Sequence, residues 1–131
     1  MNIEKIFKNL ILLDLAIFVL LFISIIIEPE EITNISESLG TGIWDENTIT
    51  LIFIGFLIVY LINLILLYKF ISFGKLLYLI LAILGVVLPL TTGPIISSSL
   101  TYTLEWIGGA SSGAILVLLY FSPIKDKFEK Q

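Results

Sequence analysis

Two carboxyl groups stand inside long apolar stretches of this sequence, and they are the side chains best placed to do chemistry. Asp14 lies about 9 Å beyond Lys8 along a helix. Glu105 stands beside Trp106 near the start of the last apolar stretch. An ionisable group in a membrane span is expensive and marks a functional hypothesis by default. Such a carboxyl can hold helices together through hydrogen bonds, or it can relay a proton or a cation.

Asp14 has candidate partners at a similar depth in the other stretches. Asn63 lies about 9 Å before Lys69 in the second, antiparallel stretch, so we expect an Asp14–Asn63 hydrogen bond. Tyr60, one helical turn from Asn63, and Tyr78 of the third stretch are expected to join them. Interhelical bonds of this kind are worth about 0.6 kcal/mol on average. The sequence therefore predicts an intramembrane polar cluster of Asp14, Asn63, Tyr60 and Tyr78.

Glu105 has two interpretations. Near the outer end of its helix, its carboxylate can reach water at the depth of the lipid headgroups. Its helical stripe also carries Gly109 and Ser112, which favours an orientation into the bundle. The nearest expected partners in that orientation are the hydroxyl groups of Thr91, Thr92, Ser97, Ser98 and Ser99.

The last apolar stretch contains a run of small residues over positions 108–114. Gly108 with Ser112, and Gly109 with Gly113, repeat the spacing that lets two membrane helices approach closely. We expect this helix-packing face to meet either the third stretch of the same chain or a helix of another subunit.

The residue inventory excludes most catalytic chemistry. There is no Cys and no His, and all seven basic residues are lysines. The chain therefore has no thiolate nucleophile, imidazole base or usual zinc or haem ligand set. We expect no catalytic residue, no metal site and no cofactor. The acidic residues of the first loop lack the spacing of an EF-hand.

Composition assigns the chain to the membrane proteins. Of 131 residues, 58% are hydrophobic, well above the roughly 45–50% of a soluble domain. Four stretches, about 10–27, 49–68, 76–96 and 102–121, each approach the roughly 20 apolar residues that a membrane helix needs. We expect an all-α, four-helix transmembrane bundle that forms one domain over residues 1–131, with no extramembrane domain.

The distribution of charge predicts an orientation. All basic residues lie before the first stretch, between the second and third, or after the fourth, so they share one side of the membrane. The charged residues of the first loop are all acidic. By the positive-inside rule, both termini are cytoplasmic, and a bacterial inner (plasma) membrane is expected. The bilayer is then the main partner, and nucleic acid is not. The basic residues are Lys5, Lys8, Lys69, Lys75, Lys125, Lys127 and Lys130.

The segments outside the four stretches also have recognisable patterns. Residues 30–39 repeat apolar positions at helical spacing before Gly40, which predicts a short external helix at the membrane interface. It serves either as a connector or as a docking surface. The polar cluster from Asp45 to Thr48 can cap the second span. Ser122 and Pro123 predict the start of a short tail helix.

In length, span count and the carboxylate at Asp14, the chain resembles the small multidrug resistance transporters. That resemblance implies a dimer in which a first-span carboxylate alternates between a proton and a cationic drug. The chain departs from that pattern because its carboxylate is Asp rather than Glu and its first loop is longer.

A second resemblance rests on the segments 92–94, 113–116 and 120–123, which read Thr-Gly-Pro, Gly-Ala-Ile-Leu and Tyr-Phe-Ser-Pro. These segments are similar to a pattern in small four-span bacterial inner-membrane proteins of unassigned role. The resemblance implies four spans and a bacterial membrane, and it implies no activity.

These observations favour a non-enzymatic membrane protein that acts through helix packing, as an accessory or assembly subunit or as a small homo-oligomer. The alternative is a small proton-coupled transporter that uses Asp14. A sensor that receives its signal through the acidic loop is a third possibility.

Overall fold

The computed structural model describes residues 2–129, which form an all-helical chain with no strand in that range. Four of its helices are long and apolar enough to cross a membrane, as the sequence predicts. Lys130 lies outside the described residues. The helices are α1 (Ile3–Ile26), α2 (Glu30–Leu39), α3 (Glu46–Tyr68), α4 (Ser72–Val87), α5 (Ser99–Phe121) and α6 (Lys125–Glu129), with a 3₁₀ turn at Leu88–Thr91 after α4.

Side-chain caps define where three of the long helices begin. The side chains of Asn2, Asp45 and Ser98 accept hydrogen bonds from backbone N–H groups in the first turns of α1, α3 and α5. Such caps satisfy N–H groups that have no partner within the helix. The short helix α2 ends at Gly40, whose φ of +74° is a conformation that favours glycine.

The third span differs from the predicted range of 76–96. Helix α4 begins earlier, at Ser72, and its continuous helical path ends with the 3₁₀ turn at Thr91. Pro89 lies inside that turn and cannot donate a backbone hydrogen bond. Gly93 follows with a φ of +82°. The apolar residues after Gly93 therefore raise the hydropathy of the segment without extending the helix.

The four long helices form a bundle with one dominant pairing on each side. Helix α1 packs most extensively against α5, and α3 packs most extensively against α4. The contacts between α1 and α3 and between α4 and α5 are fewer. Within residues 2–129, the backbone of α1 does not come close to that of α4, nor the backbone of α3 to that of α5, so these pairs meet only through side chains. The order around the bundle is therefore α1, α3, α4, α5.

Both ends of the described chain lie at the same end of the bundle, which we call the termini end. The rings of Phe7 in α1, Phe70 in the α3–α4 turn and Phe128 in α6 pack together with centroids 5.4 to 6.0 Å apart. Glu4 pairs with Lys127 across the chain. The tail helix α6 therefore folds back against the bundle and buries Phe128 completely.

The opposite end, which we call the loop end, is joined by contacts between connecting segments. The backbone N–H of Ile43 donates to the carbonyl of Thr91 at 3.2 Å. The indole of Trp44 donates to the hydroxyl of Thr91 at 2.8 Å. The carboxylate of Glu28 accepts from the backbone N–H of Ser98 at 2.6 Å, at the start of α5. This last position is favourable for an anion because the helix N-terminus is partly positive.

The apolar core occupies the half of the bundle nearest the termini end. Its buried cluster runs from Phe7 and Phe128 to the level of Tyr78. The other members of this cluster are Ile11, Leu64, Leu67, Ile115, Leu119 and Ile124. The half nearest the loop end is packed less tightly, and a groove opens there between the helices.

Candidate functional site

Asp14 is the centre of a hydrogen-bonded cluster to which every long helix contributes one residue. Its carboxylate accepts bonds from the hydroxyl of Tyr60 on α3, from the hydroxyl of Tyr78 on α4 at 3.3 Å, and from Ser112 on α5 at 3.4 Å. Only 2% of Asp14 is exposed. A buried carboxylate is therefore held by three hydroxyl donors, each from a different helix.

Within the described residues, the carboxyl of Asp14 has no cationic partner. None of the ion pairs found within residues 2–129 involves it. An ionised carboxylate is an acceptor only, and three donors around it suit that form. The three donors can therefore stabilise a carboxylate at Asp14 inside the bundle. Alternatively, the carboxyl can exchange a proton with a neighbouring hydroxyl or with a ligand that reaches it.

Stacked rings fix the position of Tyr60. Its ring packs on Phe18 of α1 with centroids 5.6 Å apart, and on Phe56 one turn earlier on α3 at 6.4 Å. Tyr78 lies on another side at 6.3 Å. Aromatic neighbours at these distances contribute packing energy beyond their buried area. The hydroxyl of Tyr60 is consequently directed at Asp14.

Asn63 lies one turn from Tyr60 but does not bond to Asp14. Its amide, oriented to satisfy both partners, donates to the carbonyl of Gly74 at 3.0 Å and accepts from the backbone N–H of Tyr78 at 3.2 Å. These are two groups that an α-helix pairs with each other. Gly74 permits the close approach, since a Cβ there would lie 2.8 Å from the Cβ of Leu66. Of the predicted cluster, Asp14, Tyr60 and Tyr78 come together. Asn63 instead connects α3 to α4 through hydrogen bonds to the α4 backbone.

A groove of about 370 Å³ lies between α1, α3 and α5 in the half nearest the loop end. Its lining contains both intramembrane carboxylates, Asp14 and Glu105, together with the rings of Phe18, Phe22, Phe53, Phe56 and Tyr60. A second cavity of about 420 Å³ adjoins it and shares Phe53, Phe56 and Gly85. This aromatic lining was not predicted from the sequence, although the spacing of Phe18 and Phe22, and of Phe53 and Phe56, places each pair on one helical face.

Glu105 precedes Ser112 by two turns on the same face of α5, which is about 10 Å along the helix axis toward the loop end. Within the described residues, none of the predicted hydroxyl partners bonds to it. Two of these hydroxyls are engaged elsewhere, because that of Thr91 accepts from Trp44 and that of Ser98 bonds to Thr101. Glu105 therefore lines the groove with its carboxylate available for a ligand or for water.

A chain of hydroxyls that sequence reasoning did not identify joins α1 to α5 near the loop end. Thr101 donates to Ser24 at 3.1 Å, and Ser98 bonds to Thr101 at 3.1 Å. Ser24 and Thr101 are both buried. Single serines and threonines in membrane helices are common, and only the α1–α5 pairing shows that these two meet.

The small residues of α5 divide between two environments. A Cβ at Gly108 would meet Ile17 of α1 at 3.4 Å, and Ser111 is buried with no hydrogen-bond partner for its hydroxyl among residues 2–129. Nothing in the described part of the chain lies within 4 Å of a Cβ built at Gly109 or Gly113. On one side the run packs on α1 rather than on the predicted third span. The other side, which carries Gly109 and Gly113, is left open, and Gly109 lines the groove. Ser112, the fourth predicted packing residue, bonds to Asp14 instead.

Residues 2–129 contain no group of three or more metal-ligating side chains that could hold a metal ion. Comparison of the chain with protein-family models, with curated proteins and with solved structures gives no match.

Proposed function

We propose that this chain is a non-enzymatic, multi-pass membrane protein that acts through helix packing, as an accessory or assembly subunit or as a small homo-oligomer. The observation that carries the proposal is the open side of α5. Gly109 and Gly113 repeat at the spacing of close helix contacts, and nothing in the described chain occupies the space beside them. A second helix can approach the backbone beside Gly113, next to the groove that Gly109 lines.

The Asp14 cluster supports the same proposal. Its three hydroxyl donors come from the chain itself, and each one connects α1 to a different helix. In this role Asp14 stabilises the packing of α1 against the other three long helices. The bundle is then a preformed unit that presents α5 to a partner, rather than a set of helices that folds only on binding.

The orientation belongs to the same proposal. Every lysine of residues 2–129 lies near the termini end, so the positive-inside rule makes that end cytoplasmic, in a bacterial inner membrane. Helix α2, which buries no residue, then lies on the external face. A Lys125→Cys variant should react with an impermeant thiol reagent only after the membrane is opened. Reaction in intact cells would contradict this orientation.

Glycine variants test the packing function, because α3 and α5 each offer an open glycine. Gly113→Leu fills the open side of α5, and it should reduce recovery of the partner or second copy at least several-fold in cross-linking within native membranes. Gly55→Leu on α3 is the matched control, since a Cβ at Gly55 also meets nothing within 4 Å in the described chain. Equal cross-linking by both variants would contradict the proposal.

A second candidate function is a small proton-coupled transporter, and one observation favours it: Asp14 and Glu105 line the same groove. A ligand in the groove could then compete with a proton for Asp14. In proteoliposomes, a gradient of tetraphenylphosphonium should drive a proton flux that Asp14→Asn abolishes while the protein keeps its helical spectrum. Wild-type protein that moves no protons under this gradient would exclude the transporter.

A further inference from the structure

We propose that the groove between α1, α3 and α5, with its adjoining cavity, binds a phospholipid that has a primary-amine headgroup. The occupant is phosphatidylethanolamine from the surrounding bilayer, with its amine at Glu105 and its acyl chains in the two cavities. This inference requires neither a protein partner nor transport.

The shape of the site fits a two-chain amphiphile. The cavities of about 370 and 420 Å³ adjoin along Phe53, Phe56 and Gly85, and each has the size of a small-molecule site. Their lining is largely aliphatic and aromatic. Helix α1 has few contacts with α3, and Phe22 and Phe53 are about half exposed. A lipid can therefore enter sideways from the bilayer between these two helices.

The charge at the site selects the headgroup. Glu105 lines the groove and forms no ion pair within residues 2–129. Glu28 lies near the same end of α5, and the described lysines all lie toward the opposite end of the bundle. An ammonium group can donate charge-assisted hydrogen bonds to Glu105. The quaternary ammonium of choline has no N–H to donate, and a net-negative headgroup would meet carboxylates alone.

The inner end of the groove is compatible with an acyl chain. Asp14 is almost completely buried, and its oxygens are taken by Tyr60, Tyr78 and Ser112. The accessible surface at this level includes the rings of Tyr60 and Phe18, which stack on each other. An acyl chain that passes this level therefore meets aromatic carbon rather than an unsatisfied charge.

Native mass spectrometry of the protein released from nanodiscs tests the proposal. The nanodiscs contain equal amounts of phosphatidylethanolamine, phosphatidylcholine and phosphatidylglycerol with identical acyl chains. We expect at least a threefold excess of retained phosphatidylethanolamine. Glu105→Gln should remove this excess, and Glu46→Gln, which changes an exposed carboxylate outside both cavities, should keep it.

A glycine pair tests the location. Gly85 lines both cavities, so Gly85→Leu should reduce the total retained lipid at least threefold, whereas Gly55→Leu should leave it unchanged. Circular dichroism of each variant shows whether the helices are intact. Equal retention of the three phospholipids by the wild-type protein would overturn the proposal, and so would unchanged retention in a folded Gly85→Leu variant.

Discussion

The carboxylate of Asp14 accepts a hydrogen bond from the hydroxyl of Tyr60, and this bond joins α1 to α3. These two helices are neighbours with few other contacts. The same tyrosine ring stacks on Phe18 of α1. Tyr60 therefore holds α3 to α1 just below the groove, and the groove ends where this contact begins.

Removing the Tyr60 hydroxyl should destabilise the bundle. Tyr60→Phe leaves the buried carboxylate with one donor fewer, and we expect a loss of about 1 to 2 kcal/mol in unfolding free energy. Tyr68→Phe is the control, because Tyr68 lies on the same helix with 42% of its surface exposed. Unfolding in detergent with increasing denaturant measures both variants. An equal effect of the two substitutions would contradict the structural role of Tyr60.

Asn63 should stabilise the bundle through its hydrogen bonds to α4 rather than through Asp14. Asn63→Ala removes both hydrogen bonds to the backbone groups of Gly74 and Tyr78, and we expect a loss of about 1 to 2 kcal/mol. In a double-mutant cycle, the effects of Asn63→Ala and Tyr60→Phe should be nearly additive, since the two side chains bind different groups. A coupling energy above about 1 kcal/mol would show that Asn63 and Asp14 act as one cluster.

Alanine substitutions at two glycines should change the stability of the bundle in opposite directions. Gly74→Ala places a Cβ 2.8 Å from the Cβ of Leu66, which forces α3 and α4 apart and should cost about 1 to 3 kcal/mol. Gly55→Ala meets nothing within 4 Å in the described chain, and it should stabilise by up to about 1 kcal/mol through helix propensity. Melting temperatures in the same detergent provide the comparison. Destabilisation by both would show that α3 is packed differently.

The cap at Asp45 should give a pH-dependent stability. Hydrogen bonds from the hydroxyl and then the backbone N–H of Thr48 hold the pKa of Asp45 below its usual range. The cap therefore stabilises the fold fully above the unfolded-state pKa, near 4, and this contribution is lost as the pH falls through the folded-state pKa. Wild type should melt above Asp45→Asn at pH 7, and the two should converge in acid. A pH-independent difference would refute the linkage.

Much of the fold is predictable from the sequence because hydropathy and capping act locally. The four long helices, the helix over 30–39 and the cap at Asp45 each follow from residues within one segment. The third span was predicted to extend to residue 96, because hydropathy alone does not report that Pro89 and Gly93 end the helical path.

The site is only partly predictable, because it depends on which helices become neighbours. Equal depth suggested that Asp14, Tyr60 and Tyr78 could meet, and the two tyrosine hydroxyls donate to Asp14 in the structure. Depth does not give the direction of a side chain, so it could not separate Asn63, which turns to α4, from Tyr60, which turns to α1. The Ser24–Thr101 contact required the α1–α5 pairing, which apolar surfaces of similar composition do not specify.

The proposal that α5 packs against another subunit is tested most directly by native mass spectrometry of the tagged protein, extracted in mild detergent from its own membrane. We predict a stoichiometric complex, either with an unrelated membrane protein or with a second copy, and we expect Gly113→Leu to dissociate it. A wild-type chain that is recovered only as a monomer with bound lipid would contradict the account.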